Sequence, residues 1–187
     1  MELFKNNILG TSAFFGLSGG ALGFLNFIIA KMMGLNPFPA PTDFPWVISS
    51  LLLITSIVAA IYYFRKVLNG STLHLWQGLF IGFCVWTIFM VVECTGIFVF
   101  LSFNHEYMTA YLNTLVADLV SHKAIYLKQY KEADFNVFVE QIKQTSVSQM
   151  VLDGFIKKSI PAPFVIFIAS LALRKQLRDA NGNLLEY

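Results

Sequence analysis

The chain has 187 residues, 56% hydrophobic and 16% aromatic, with 13% charged residues and a formal net charge of +2. That is about half the share of charge in a soluble domain. So small a net charge, without a basic stripe or aromatic–basic interleaving, argues against a nucleic-acid partner.

Four apolar stretches dominate, at residues 8–33, 44–64, 75–103 and 155–173. The first three exceed the ~20 residues that carry a helix across a ~30 Å hydrocarbon core. A helix satisfies its own backbone hydrogen bonds there, which an irregular segment cannot do. The expectation is an all-α integral membrane protein: four spans, with an amphipathic helical extracytoplasmic segment at 104–154. The connections are too short to separate domains, so residues 1–187 read as one four-helix membrane domain.

The first stretch follows a single Lys5 and is too long for a signal-peptide core, so it reads as a retained span. Ser12, Gly16 and Gly20 recur every four residues, and Gly19 with Gly23 forms a second small-residue pair. Small residues at that spacing let two helix backbones approach closely, where lipid supplies no hydrophobic drive for packing. Such a face suits either this chain's own helices or another subunit. The proline-dense connector 36–43 is expected to be extended, with Thr42 or Asp43 capping the second helix.

The second helix reads as a plain span that continues to Leu68, ends at Asn69-Gly70, and leaves Ser71 or Thr72 to cap the third. The third stretch carries Cys84 and Cys94, roughly 80° apart around the helix and ~15 Å apart along it. They cannot bridge each other and read as small buried hydrophobes. It also carries the one acid well inside an apolar run, Glu93, on a stripe with Gly78, Gly82, Val85, Phe89 and Gly96. An ionisable residue in a span is a functional candidate. Counted from Trp76, however, Glu93 lies ~25 Å along the axis, near the outer edge of the core. There it reaches for interfacial water, Lys31 or Lys158.

From His105 to Gly154 the pattern is amphipathic. Met108, Leu112, Leu115, Leu119, Tyr126 and Tyr130 form one set, and Phe135, Phe138, Val139 and Ile142 a second, with a break expected near Glu132-Ala133-Asp134. The fourth stretch is short. Only Ile160 to Leu173 is free of charge, so full thickness requires Lys157 and Lys158 to snorkel outward and Arg174 inward, or the bilayer to thin locally. Pro161 suits a first turn.

Lys5, Arg65, Lys66, Arg174, Lys175 and Arg178 flank what would be one side of the membrane, and the long segment opposite is net acidic. By the positive-inside rule both termini are expected in the cytoplasm. No His-Glu-x-x-His helix, Cys-x-x-Cys pair, phosphate loop or nucleophile elbow occurs, so no catalytic residue, metal or cofactor is assigned. His105 and Glu106 with His122 could make a weak metal site, but the favoured reading takes Asn104 and Glu106 as simple interfacial polar groups. A transporter is expected to carry paired intramembrane charges or matching broken helices in two halves, and one near-interfacial Glu without an internal repeat falls short of that.

Tyr63-Phe64-Arg65-Lys66, Asn69-Gly70, Leu75-Trp76-Gln77-Gly78 and Gly82, with a closing stretch from Ile160 to Lys175, resemble a family of small bacterial membrane proteins catalogued as domain of unknown function 4199. The resemblance implies four spans, a short basic cytoplasmic hairpin after the second, and a basic tail. It supplies no functional residues. The outer segment departs from the family's more acidic, methionine- and glutamine-rich pattern.

The leading expectation is a non-enzymatic accessory or structural subunit of a larger membrane complex or homo-oligomer in the bacterial inner membrane. Its partners are then lipid and protein subunits. The alternative is a small transporter or channel component using Glu93, and a membrane-embedded enzyme ranks third.

Overall fold

The computed structural model describes residues 2–35, 44–128 and 131–174, with side chains from residue 7 onward. The proline connector with its expected caps, Tyr130, Lys175, Arg178 and the side chain of Lys5 lie outside the described residues. The elements are all helical: α1 Glu2–Met32, α2 Phe44–Tyr63 running into a π-helical turn Phe64–Leu68, and α3 Leu75–Phe103. They continue with α4 His105–Ser121, α5 Lys123–Tyr126, α6 Glu132–Lys143, α7 Val147–Ser159 and α8 Ala162–Leu173. Four stretches are long and apolar enough to cross a membrane: Asn7–Met32, Phe44–Leu68, Leu75–Phe103 and Val147–Leu173. This is an all-α membrane protein.

The fourth of these is longer than its apolar pattern suggested, because α7 begins at Val147 and delivers the chain into it. It is also broken. Pro161 has no N–H and its ring would collide with the carbonyl four residues back, so α7 ends at Ser159 and α8 restarts at Ala162.

The residues form two compact units, one containing everything up to Gly96 and from Phe155 onward, the other residues 97–154. In the first, α1, α2, α3 and α8 meet around Leu53, Ile57, Ile61, Phe64, Ile81 and Phe89. The predicted small-residue faces are seams within this unit. A Cβ on Gly16 would stand 2.7 Å from Ile88 Cβ, and one on Gly20 would stand 2.7 Å from the Phe89 carbonyl oxygen. Gly19 lies against Ser56 and Phe89, Gly78 against Ser170, Gly82 against Ile166 and Gly96 against the Phe24 ring. Ser12 is fully buried. Contact this close is what lets helices hold together by dispersion in lipid.

The link between α2 and α3 is tight. Gly70 and Ser71 both take positive φ, +54° and +65°, and Asn69 Nδ2 donates to the Thr72 carbonyl at 3.0 Å. The cap of α3 is neither Ser71 nor Thr72. Instead the His74 N–H donates to Gln77 Oε1 at 3.0 Å, because the left-handed Ser71 sits too far ahead of the first helical turn to face its free N–H groups. At the same end Arg65 Nη1 donates to the Leu173 carbonyl at 3.3 Å.

In the second unit, Met108, Leu112 and Leu119 of α4 are buried, as is Phe135 of α6, which packs on Tyr126. The helix break falls near Glu132, as expected, between α5 and the start of α6. Glu132 and Asp134 occupy the first turn of α6, where carboxylates are favoured by the helix dipole. Lys123 Nζ donates to Glu132 Oε1 at 2.7 Å, which holds that carboxyl below the usual glutamate range.

Candidate functional site

Glu93 projects from α3 within the first unit and is 2% exposed. Of the three partners open to it by sequence, the structure supplies Lys158. The ammonium donates to Glu93 Oε1 at 2.7 Å and to Oε2 at 2.8 Å. Its third N–H goes to Ser49 Oγ at 2.7 Å. Ser49 in turn donates to Glu93 Oε1 at 2.6 Å. An ammonium has three donors and no acceptor, so the ring closes with every Lys158 proton used.

Each member reaches the site for a local reason. Ser49 lies one turn into α2, whose entry is tied to α1 by Asn26 Nδ2 donating to the Pro45 carbonyl at 3.0 Å. Gly23 of α1 leaves room for the carboxylate, since a Cβ there would come 2.9 Å from Glu93 Oε1. Phe155 packs on Trp86 with ring centroids 6.1 Å apart, which turns the α7 face carrying Lys158 toward α3. The expectation that Lys157 and Lys158 both snorkel outward therefore fails for Lys158. One residue is 100° of helix rotation, so Lys157 is exposed while Lys158 points inward.

A cavity of about 30 Å³ adjoins the ring, lined by Ser50, Leu53, Ile57, Lys158 and Pro161. It has room for about one water-sized group. Among the described residues the buried Ser50 hydroxyl has no hydrogen-bond partner. Cys94, next to Glu93, is a free thiol within electrostatic range of both charges.

The family model described as protein of unknown function, DUF4199, matches residues 14–175. The chain belongs to this family. No curated protein and no solved structure matches it.

In this DUF4199 chain, the structure brings Glu93, Gly23 and Lys158 together, while Gly78 and Gly82 lie on the α8 side of the same stripe and Gly96 faces α1. Arg65 is half-buried, and Lys66 and Arg174 are exposed. Sequence reading missed Ser49 and Ser50. The available signal was a Ser-Ser pair in a mostly apolar stretch, about one turn from its start.

Proposed function

We propose that this protein is a small transporter or channel component that handles a proton or a cation at Glu93. The observation that carries this is the closed Ser49–Glu93–Lys158 ring. A buried ion pair is a poor way to stabilise a bundle, since well-packed apolar residues of similar volume do as well or better. Ionisable groups inside spans mark ion and proton pathways. Paired charges within spans are also a feature expected of a transporter. The test is flux: the protein in liposomes, with proton and cation movement followed by pH-sensitive and cation-sensitive dyes. Glu93→Gln is expected to abolish the movement, and unchanged flux would sink the reading.

A second reading is an accessory or structural subunit of a larger complex or homo-oligomer. Its small-residue faces are occupied by the chain's own helices, so support comes instead from an aromatic ridge on α3. Trp76, Phe80 and Phe83 recur at helical spacing and are 79%, 53% and 43% exposed. A strictly monomeric particle without a co-purifying partner in mild detergent would remove it. We further propose the bacterial cytoplasmic membrane with both termini inside. The Arg65 contact with Leu173, beside Arg174, supports a common basic end.

A further inference from the structure

We infer that the basic end of the first unit holds one anionic phospholipid, with an acyl chain in a groove between α1 and the end of α2 and its phosphate at Lys66. The groove has a volume of about 450 Å³ and is lined chiefly by Phe14, Phe15, Tyr63 and Leu68, with Asn7 and Gly10 of α1. That is the size of a ligand pocket, roughly 300–1,000 Å³. Phe15 and Tyr63 meet across the two helices with ring centroids 5.8 Å apart, and Phe14 beside them is 67% exposed. No residue of the Glu93 ring lines this groove, so the inference stands apart from the ion-handling reading.

The same helix shows how a filled cleft differs from an open one. At Gly16 and Gly20 a Cβ would collide with α3, whereas one at Gly10 would meet nothing within 4 Å. An apolar lining without partner atoms forfeits its dispersion contacts. In a membrane, an acyl chain is the group at hand to restore them. The turn that carries Leu68 is also wider than an α turn, since the Asn69 N–H donates to the Phe64 carbonyl five residues back at 3.0 Å. Such π turns recur at functional sites.

Charge selects the headgroup. Lys66 is exposed on that turn, three residues from Tyr63 and two from Leu68. Among the described residues it has no ion-pair partner. Arg65 beside it spends one N–H on the Leu173 carbonyl at 3.3 Å, and its buried Nε has no partner among the described residues. Arg174 is exposed just past α8. Among the described side chains of this unit the only acid is Glu93, which Lys158 already holds. No described carboxylate of the unit therefore balances this basic cluster, and a lipid phosphate can. Basic sites between spans hold the headgroups of anionic lipids in this way. Asn7, exposed in the groove's lining, has an amide that can donate to the lipid's ester or phosphate oxygens.

The test is lipid binding in detergent. Delipidated protein is mixed with a few equivalents of phosphatidylglycerol, or of phosphatidylcholine with the same acyl chains, and bound lipid is counted by native mass spectrometry. Wild type is expected to hold about one phosphatidylglycerol per chain, about fivefold more tightly than phosphatidylcholine, the ratio that one lysine near a headgroup supplies. Lys66→Gln should lose that ratio and keep the weaker phosphatidylcholine binding. Gly10→Leu puts a side chain into the space where a Cβ meets nothing, and should bind neither lipid. Lys157→Gln, which removes an exposed lysine of α7, should behave as wild type does. Equal binding of the two lipids by wild type, a ratio unchanged by Lys66→Gln, or binding retained in Gly10→Leu overturns the inference. So does a dimer that carries no lipid, because a second copy would then cover the groove. If Gly10→Leu fails to fold, the ratio in Lys66→Gln decides alone.

Discussion

In Lys158→Met the alkyl stem remains and the ammonium is lost, which strands a carboxylate that is 2% exposed beside the Ser49 hydroxyl. Taking one ion from a buried pair costs about 3–5 kcal/mol, because the survivor keeps its desolvation penalty without its counter-charge. Glu93→Met is expected at the lower end of that range. The Lys158 side chain is 12% exposed and its stem can swing the ammonium toward water. The double Met variant removes both charges at similar volume, and Ser49 can turn its hydroxyl to the Pro45 carbonyl one turn back. Its stability should lie between that of wild type and about 4 kcal/mol above it. The two single losses therefore should not add, and the cycle should return a coupling of several kcal/mol. The assay is denaturant-detergent unfolding followed by tryptophan fluorescence. Additive losses, or single losses under about 1 kcal/mol like those of exposed pairs, would refute the placement of this pair in a dry interior.

Gly20→Ala drives a Cβ against the Phe89 carbonyl and Val92, and backbone cannot yield as a side chain does, so a loss of about 1–3 kcal/mol is expected in the same unfolding assay. Gly10→Ala meets nothing within 4 Å and should be neutral or gain up to about 1 kcal/mol; equal effects at the two sites would contradict the seam. Gln77→Ala removes the acceptor for the His74 N–H and should cost about 1 kcal/mol, read as faster amide exchange in the first turn of α3. Glu132 titrates below the usual glutamate range because Lys123 donates to it and its charge lies close by. A depressed carboxyl contributes above its unfolded pKa, and the contribution is lost as pH falls through the lowered folded value. Amide protection at the start of α6 should therefore drop on acidification through that window. Glu132→Gln should flatten the response, and an unchanged pH profile in that variant would disprove the assignment.

The four spans were legible because length and apolarity alone specify a membrane-crossing helix. The seams were legible because glycines at four-residue spacing have few other uses in lipid. The site was half legible. Glu93 stood out as an acid in an apolar run, but Lys158 sat where a lysine can either snorkel or turn inward. That choice depends on helix phase, which the break at Pro161 resets. Ser49 was invisible because a serine in a span usually bonds its own backbone, as Ser56 and Thr87 do here with the carbonyls four residues back.

The seams also determine which helix can move. Along one face α3 receives Ser170 and Ile166 at Gly78 and Gly82, Gly23 beside Glu93, and Phe24 at Gly96. To rotate or slide, it would have to withdraw from two neighbouring helices at once. The carboxylate is in effect mounted on a fixed post, while its counter-charge hangs from a flexible stem three residues before a prolyl interruption. Any opening of the ring is therefore a departure of the lysine, with the glutamate and its serine standing still.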